Sequence, residues 1–264
     1  MTNEPGVPLA NKVIIVTGAS RGIGRAIALR LAADGAKVTL GARDAGALAK
    51  VAEEISKRGG TATPYPADLR LPEAPAALAE AAMRAYGRID VVVNNAGATK
   101  HGDFLELSEA DWADGFALKF FCGVRLCRAA WPHLKKARGS VLNIIGTGGR
   151  TPGAGFTIGG SVNGACLSFT KALADIGIRD GVQVNAINPG WVRTDRLRHL
   201  LEKEAIEHGG NLEAAAAEVA RKANIVRMGE PEDVANLAAY MLSPQARLLQ
   251  GAMIDLDGGM TKTI

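Results

Sequence analysis

Residues 13–24 are Val-Ile-Ile-Val-Thr-Gly-Ala-Ser-Arg-Gly-Ile-Gly, a short β-branched run that ends in a glycine-rich turn. A helical pattern follows at once from Arg25. This order predicts a strand, a turn and a helix, in which the glycines let an anion approach the backbone. The N–H groups at the helix N-terminus would face that anion at the positive end of the helix dipole. The stretch therefore predicts a phosphate-binding turn at the start of an α/β fold.

The rest of the chain repeats this alternation of strand and helix. The predicted strands are residues 13–17, 37–41, 61–66, 89–94, 140–145, 182–187 and 252–256. The predicted helices are residues 22–34, 45–58, 72–86, 108–138, 160–179 and 232–242. Regular alternation predicts a single Rossmann-type domain over residues 1–264, with helices on both faces of a doubly wound parallel sheet.

Residues 191–228 interrupt the alternation, because they are polar, alanine-rich and predicted to be helical. A helical segment of this kind can cover a bound substrate. Gly209 and Gly210 divide the segment, so it is either a lid with a Gly-Gly hinge or a surface helical hairpin. The sequence leaves both possibilities open.

Composition excludes several classes of function. The hydrophobic fraction of 47% with few aromatic residues suits a parallel sheet covered by helices. A net charge of +4 from scattered basic residues does not indicate a nucleic-acid surface, and no apolar run is long enough to span a membrane. Cys122, Cys127 and Cys166 form no CxxC pair, which favours free thiols and a cytoplasmic location. The histidines lack metal-ligand spacing, so no metal is expected.

Five short motifs occur in a fixed order along the chain. They are Thr17-Gly18-x3-Gly22-x-Gly24, Asn94-Asn95-Ala96-Gly97, Asn188-Pro189-Gly190-Trp191-Val192-Arg193-Thr194, Arg227-x-Gly229-x-Pro231-Glu232-Asp233-Val234-Ala235 and Gly251 with Asp257-Gly258-Gly259. This pattern resembles the short-chain dehydrogenase/reductase family over essentially the whole chain from Asn11.

The resemblance implies a nicotinamide cofactor bound along one edge of the sheet. Its phosphates and ribose would contact Gly18, Ser20, Arg21, Gly22 and Ile23, and its adenine would lie against Asp68 and Leu69. Its nicotinamide end would contact Asn95, Ala96, Gly97, Pro189, Gly190, Val192 and Thr194. Without a ligand, the glycines would form only a tight strand–helix turn.

The residues after the second strand decide between the two nicotinamide cofactors. Binders of the non-phosphorylated cofactor usually have a carboxylate at this point, which accepts hydrogen bonds from the ribose hydroxyls. Here Ala42 stands at that position and Arg43 follows it. A guanidinium pairs with a 2′-phosphate, so NADP(H) is predicted over NAD(H), with Asp44 expected to face solvent.

The catalytic residues of the family do not appear at the corresponding positions. The family uses a tyrosine as acid/base, a lysine one helical turn later, a serine and an asparagine. Alignment from Asn143 and Thr170 places Gly146 at the serine position, Gly159 at the tyrosine position and Asn163 at the lysine position. Lys119 takes the asparagine position, and the tyrosines of the chain, Tyr65, Tyr86 and Tyr240, are all remote in sequence.

An exchange between two of these positions suggests another arrangement. Lys119 and Asn163 would keep one ammonium and one amide in the site, with Lys119 beside the nicotinamide ribose or acting as proton donor. Thr147 is the nearest hydroxyl to the serine position, and His101 is a second acid/base candidate. Gly159 and Gly160 remove bulk, which predicts a pocket that is larger than usual or a backbone closer to the nicotinamide.

Three functions remain compatible with this sequence. One is an NADP(H)-dependent oxidoreductase that acts on a small carbonyl, enone or alcohol-type substrate by an atypical mechanism. The others are a non-redox lyase or dehydratase on the same fold, and a catalytically silent NADP(H)-binding protein. The family resemblance also implies a homodimer or homotetramer, and no nucleic-acid or membrane partner is expected.

Overall fold

A sheet of seven parallel strands forms the centre of the computed structural model, which describes residues 9–263 except for the side chains of residues 196, 199 and 200. The strands are β1 (Val13–Thr17), β2 (Lys37–Ala42), β3 (Thr61–Pro66), β4 (Val91–Asn94), β5 (Ser140–Ile144), β6 (Gln183–Pro189) and β7 (Met253–Leu256). Their order is β3-β2-β1-β4-β5-β6-β7, which confirms the predicted doubly wound sheet. Residues 1–8 and residue 264 of the predicted domain lie outside the described residues.

Nine α-helices are described over the same residues. They are α1 (Gly22–Ala33), α2 (Ala45–Lys57), α3 (Ala74–Tyr86), α4 (Glu109–Gly115), α5 (Cys122–Ala137), α6 (Thr157–Asp180), α7 (Asp195–Ile206), α8 (Leu212–Lys222) and α9 (Pro231–Leu242). These helices cover both faces of the sheet, as the alternate residues of β1 show. Ile14 and Val16 pack in the core with α1, α2 and α9, whereas Ile15 packs in the core with α3, α5 and α6.

The strand order reverses between β1 and β4. Chain connections leave these two neighbouring strands toward opposite sides, so a crevice opens beyond their carboxyl ends. The glycine turn follows β1 and the Asn94-Asn95-Ala96-Gly97 motif follows β4, so both motifs meet at this crevice. Parallel pairing thus brings together residues that are far apart in the chain.

The predicted single helix over residues 108–138 is not one uniform α-helix. It begins at a capping box between Ser108 and Asp111, continues as α4, widens to a π-helix over Phe116–Phe121 and resumes as α5. Gly115 lies close to Ile158 of α6, and Gly123 lies close to Asn94 of β4. Lys119 stands in the widened turn between these two contacts, and such turns often occur at functional sites.

The segment over residues 191–228 folds as a helical hairpin. Helices α7 and α8 pack together through Leu201, Ala216 and Val219. Gly209 and Gly210 adopt φ values of +63° and +83°, and the Gly210 N–H donates to the carbonyl oxygen of Ala205. The Gly-Gly pair therefore reverses the chain after α7, in the left-handed region that glycine reaches without strain.

Candidate active site

The glycine turn is fastened to the end of β4. The side-chain amide of Asn95 donates to the carbonyl oxygens of Thr17 and Gly18, at 2.9 and 3.3 Å. The Thr17 hydroxyl oxygen accepts the N–H groups of Asn95 and Ala96, both at 3.0 Å. A Cβ on Gly24 would lie 2.2 Å from the Gly18 carbonyl oxygen, so only glycine fits there. Asn95, predicted to line the cofactor, thus has its side-chain amide engaged in holding the turn.

The N-terminus of α1 is suited to bind an anion. Its N-cap residue, Arg21, makes no side-chain capping hydrogen bond, and the first turn contains no acidic residue. The first N–H groups of the helix therefore lack a capping side chain, and the helix dipole favours negative charge there. Gly22 faces Thr194, whose methyl carbon would lie 3.3 Å from a Cβ on residue 22. The turn and the segment after β6 form two sides of one cradle, which a pyrophosphate fits chemically.

Several charged side chains lie at the other end of the crevice, beyond β2 and β3. The Asp44 carboxylate accepts the Ala47 N–H at 2.9 Å and caps α2, whereas Arg43 is exposed. Burial raises the pKa of the Asp68 carboxyl, but hydrogen bonds from Arg70 and the charges of Arg70 and Arg43 lower it below its ordinary value. Asp68 therefore carries its charge near Arg43, and Leu69 beside it is buried.

Lys119 extends from the π-helix into the crevice. Its Nζ donates to the carbonyl oxygen of Ile145, just beyond β5. Its stem crosses Gly97, where a Cβ would lie 2.9 Å from the lysine Cδ. Burial raises the pKa of the neighbouring Cys166 thiol, and the charge of Lys119 opposes that shift. The structure thus places the half-buried ammonium between the carboxyl ends of β4 and β5.

Asn163 approaches the same loop from α6. It is 3% exposed, and a Cβ on Gly146 would lie 3.2 Å from its Nδ2. Its Oδ1 is buried without a hydrogen-bond partner. A buried amide oxygen without a donor costs free energy, so this atom is suited to receive a hydrogen bond from a ligand. Lys119 and Asn163 thus contact consecutive residues, Ile145 and Gly146, at the start of one loop.

The other two candidates lie on the loops around this point. Thr147 is buried at the start of a short 3₁₀ turn, and its carbonyl oxygen accepts the N–H groups of Arg150 and Thr151. His101 is exposed on the loop after β4. The structure therefore gathers Thr147 with Lys119 and Asn163 at the end of β5, and places His101 farther out.

Of the two alternatives predicted at Gly159, the larger pocket is wrong, whereas a backbone closer to the nicotinamide stays a prediction. The tip of the Phe156 ring occupies this space, because a Cβ on Gly159 would lie only 1.9 Å from its Cζ. The same ring stacks on His101, with 4.3 Å between the ring centroids. A glycine leaves free volume only when no neighbouring side chain fills the space. The sequence did not indicate that the Phe156 ring would fill it.

Three ion pairs around the site were also missed. Arg150 pairs with Asp255 of β7 at 3.2 Å, and Asp255 accepts the Asn188 amide at 2.7 Å. Arg193, between two predicted cofactor contacts, pairs with Glu213 of α8 and with Glu230 before α9. The position of Arg193 within a motif indicated that it pairs with an acidic residue. The motif did not indicate which one, because Glu213 and Glu230 are distant in sequence.

The described residues 9–263 contain no group of three His, Cys, Asp or Glu side chains that could hold a metal ion. No helix in this part of the chain is long and apolar enough to cross a membrane.

Known proteins resemble this chain in both sequence and fold. The family model described as Enoyl-(Acyl carrier protein) reductase matches residues 18–261. The uncharacterized oxidoreductase MT0954 of Mycobacterium tuberculosis (strain CDC 1551 / Oshkosh) is 36% identical over 96% of this chain and 93% of its own. The 3-oxoacyl-[acyl-carrier-protein] reductase FabG of Pseudomonas aeruginosa is 33% identical over 96% and 98%. The structure of L-sorbose reductase from Gluconobacter frateurii, complexed with NADPH and L-sorbose, superposes with a TM-score of 0.92 at 30% identity, covering 98% and 100% of the two chains.

Proposed function

The chain belongs to the short-chain dehydrogenase/reductase family of oxidoreductases, and we propose that it uses NADP(H) on a small carbonyl, enone or alcohol-type substrate by an atypical mechanism. One observation supports the atypical mechanism. Lys119 brings an ammonium to the carboxyl ends of β4 and β5, where the predicted nicotinamide contacts Ala96 and Gly97 lie.

The proposed cofactor site has the chemistry that NADP(H) requires. Glycine φ values of +68° and +53° at residues 18 and 22 open the backbone of the turn, and the uncapped N-terminus of α1 attracts the pyrophosphate. Arg43 supplies a guanidinium for the 2′-phosphate, while Asp44 is engaged as a helix cap. L-sorbose reductase, which shares this fold, was solved with NADPH. When bound, the nicotinamide supplies or accepts the hydride.

The proposed mechanism differs from that of the family in its polar groups. Gly146 and Gly159 offer no hydroxyl at the positions we align with the family's serine and tyrosine. Tyr65, Tyr86 and Tyr240 lie on β3, α3 and α9, outside the candidate site. We therefore assign the ammonium of Lys119 either to the nicotinamide ribose or to proton donation toward the substrate oxygen.

Asn163 and Thr147 complete the proposed polar set. Asn163 has a buried amide whose Oδ1 lacks a donor, and it lies beside Gly146. It would orient the ribose or the substrate by hydrogen bonding. Thr147, the next residue of the loop, would polarise the substrate carbonyl if its hydroxyl turns toward it.

Substitution of Lys119 tests this proposal. Lys119→Met should abolish NADPH binding or turnover, measured by nicotinamide fluorescence and by NADPH oxidation with ketones, enones and imines. Lys119→Arg keeps the charge but holds its proton too tightly to transfer it. Binding without turnover in Lys119→Arg assigns proton donation, and full activity in that variant assigns ribose binding. Lys57→Met removes an exposed lysine of α2 and serves as the control.

Two outcomes would overturn parts of the proposal. Unchanged behaviour of Lys119→Met would exclude the role of the ammonium. NADPH binding by the unsubstituted enzyme without oxidation by any compound would favour a silent cofactor-binding protein, and absence of NADPH binding would favour a non-redox enzyme.

We also expect a homodimer or homotetramer in the cytoplasm. Exposed apolar side chains support self-association, among them Phe121 beside α5 and Ile176 and Ile178 on α6. Sedimentation equilibrium at micromolar concentration should give at least twice the chain mass of 27.5 kDa, and a monomer would contradict this expectation.

A further inference from the structure

The Phe156 ring is enclosed on three sides by residues of the candidate site. A Cβ on Gly159 would lie 1.9, 2.1 and 2.3 Å from Cζ, Cε2 and Cε1 of the ring, so the ring tip takes the place of a side chain. A Cβ on Gly148 would lie 3.1 Å from Cδ1 and Cε1. His101 stacks at 4.3 Å with 22° between the ring planes. Two glycines thus make room for one aromatic ring.

The ring also joins the two loops that border the site. His101 belongs to the loop after β4, whereas Phe156 ends the loop after β5. Beside the stacked rings, the Gly102 N–H donates to the Gly155 carbonyl oxygen at 3.3 Å. Gly159 is buried, Phe156 is half-buried and His101 is exposed. The Phe156 ring therefore lies between the buried Gly159 and the exposed His101 ring. The backbone contact and the stacking together hold the ring in this place.

We infer that Phe156 determines substrate specificity by selecting carbonyl compounds that are unbranched next to the reacting carbon. This inference rests on the proposed function, because it takes the substrate carbonyl to lie near Thr147 and Asn163. Gly148 adjoins Thr147, and the Phe156 ring covers Gly148. A substituent that points toward α6 from a carbonyl held there meets the ring. A flat or linear substituent passes along it, whereas a branched carbon overlaps it.

Two isomeric ketones measure this selection. 2-Pentanone is linear, and 3-methyl-2-butanone carries the same atoms with a branch beside the carbonyl. The unsubstituted enzyme should favour 2-pentanone by about tenfold or more in kcat/KM, the scale on which a pocket discriminates a misplaced methyl group. Phe156→Ala should bring this ratio close to one by improving 3-methyl-2-butanone. Phe156→Tyr, which keeps the ring, should retain the preference.

Controls separate the ring from general damage to the fold. Phe156→Leu leaves a smaller apolar side chain and should give an intermediate ratio even if Phe156→Ala folds poorly. Tyr240→Ala removes a half-exposed ring of α9 and should leave the ratio unchanged. A ratio in Phe156→Ala and Phe156→Leu equal to that of the unsubstituted enzyme would overturn the role of Phe156.

A binding measurement distinguishes failure of this inference from failure of the proposed function. Titration calorimetry on the enzyme with NADP⁺ gives dissociation constants for both ketones without turnover. A preference for 2-pentanone that disappears in Phe156→Ala supports the role of Phe156 even if neither ketone is reduced. Equal binding of the two ketones to the unsubstituted enzyme would overturn it, even if both are reduced.

Discussion

At the scale of residues, close contacts between single atoms restrict which residues fit in the glycine turn. The Asn95 amide holds the Thr17 and Gly18 carbonyl oxygens, and residue 24 packs so closely on Gly18 that a methyl group cannot enter. The glycines at 18 and 24 therefore serve the shape of the turn before they serve any ligand. The sequence predicted the turn correctly, but the motif did not show that the Asn95 side chain holds the turn, and a contact of Asn95 with the cofactor stays a prediction.

Arg43 should control the choice between the two cofactors. Arg43→Glu places a carboxylate where the 2′-phosphate would pair, so the dissociation constant for NADPH should rise by about ten- to hundredfold. The dissociation constant for NADH should fall or stay the same, because a carboxylate accepts hydrogen bonds from the ribose hydroxyls. Fluorescence titration with both cofactors measures the two constants.

Lys50→Glu is the matched control for this change. It introduces the same difference in charge at an exposed position of α2, the helix that follows Arg43. A similar loss of NADPH affinity in both variants would indicate a general effect of charge. An unchanged ratio of NADPH to NADH affinity in Arg43→Glu would exclude the proposed phosphate contact.

At the scale of elements, the helix that carries Lys119 has a feature that hydrophobic periodicity does not predict. The helix was predicted to begin at Ser108, and the capping box between Ser108 and Asp111 is present. The π-helix over Phe116–Phe121 was not predicted, because the extra residue in that turn depends on packing against β4 and α6. Such contacts are absent from the local sequence.

The helical hairpin should be held to the site by Arg193. Its two guanidinium nitrogens contact both oxygens of Glu213 on α8, and its own N–H donates to the Gly229 carbonyl oxygen. Glu213→Gln removes one charge, so amide hydrogens of α8 should exchange faster with deuterium, measured by mass spectrometry. Added salt should reduce the difference between the variant and the unsubstituted protein, because the pair is largely exposed.

Glu218→Gln provides the comparison within the same helix. Glu218 pairs with Arg221 and Lys222 of α8 itself, so its loss leaves the contact with the loop after β6 intact. Exchange that increases equally in both variants would contradict a specific role for Arg193. An increased KM for NADPH in Glu213→Gln alone would connect the hairpin to the neighbouring cofactor contacts Val192 and Thr194.

For the whole molecule, the alternation of elements was sufficient to predict the fold. A continuous apolar run predicts a strand that is buried on both faces, and a glycine after a helical pattern predicts the end of the helix. Both features can therefore be predicted from the local sequence. The candidate site was predictable only as far as its motifs extend. The place of Phe156 and the ion pairs of Arg150 and Arg193 depend on loops whose conformation is set by distant partners.

Buried thiols should make the stability of the molecule fall at alkaline pH. Burial raises the pKa of the Cys122 and Cys127 thiols from an ordinary value of 9.0 to about 12. Well below pH 9 the thiols are protonated in both the folded and the unfolded chain, so their contribution is fully present. Between pH 9 and pH 12 only the unfolded chain releases these protons, so each thiol lowers the free energy of unfolding by up to about 1.4 kcal/mol per pH unit. Urea unfolding at pH 8, 9 and 10 measures this slope, and the double variant Cys122→Ala/Cys127→Ala should flatten it. An equal slope in that variant would show that other groups cause the loss, because alanine cannot ionise at any pH.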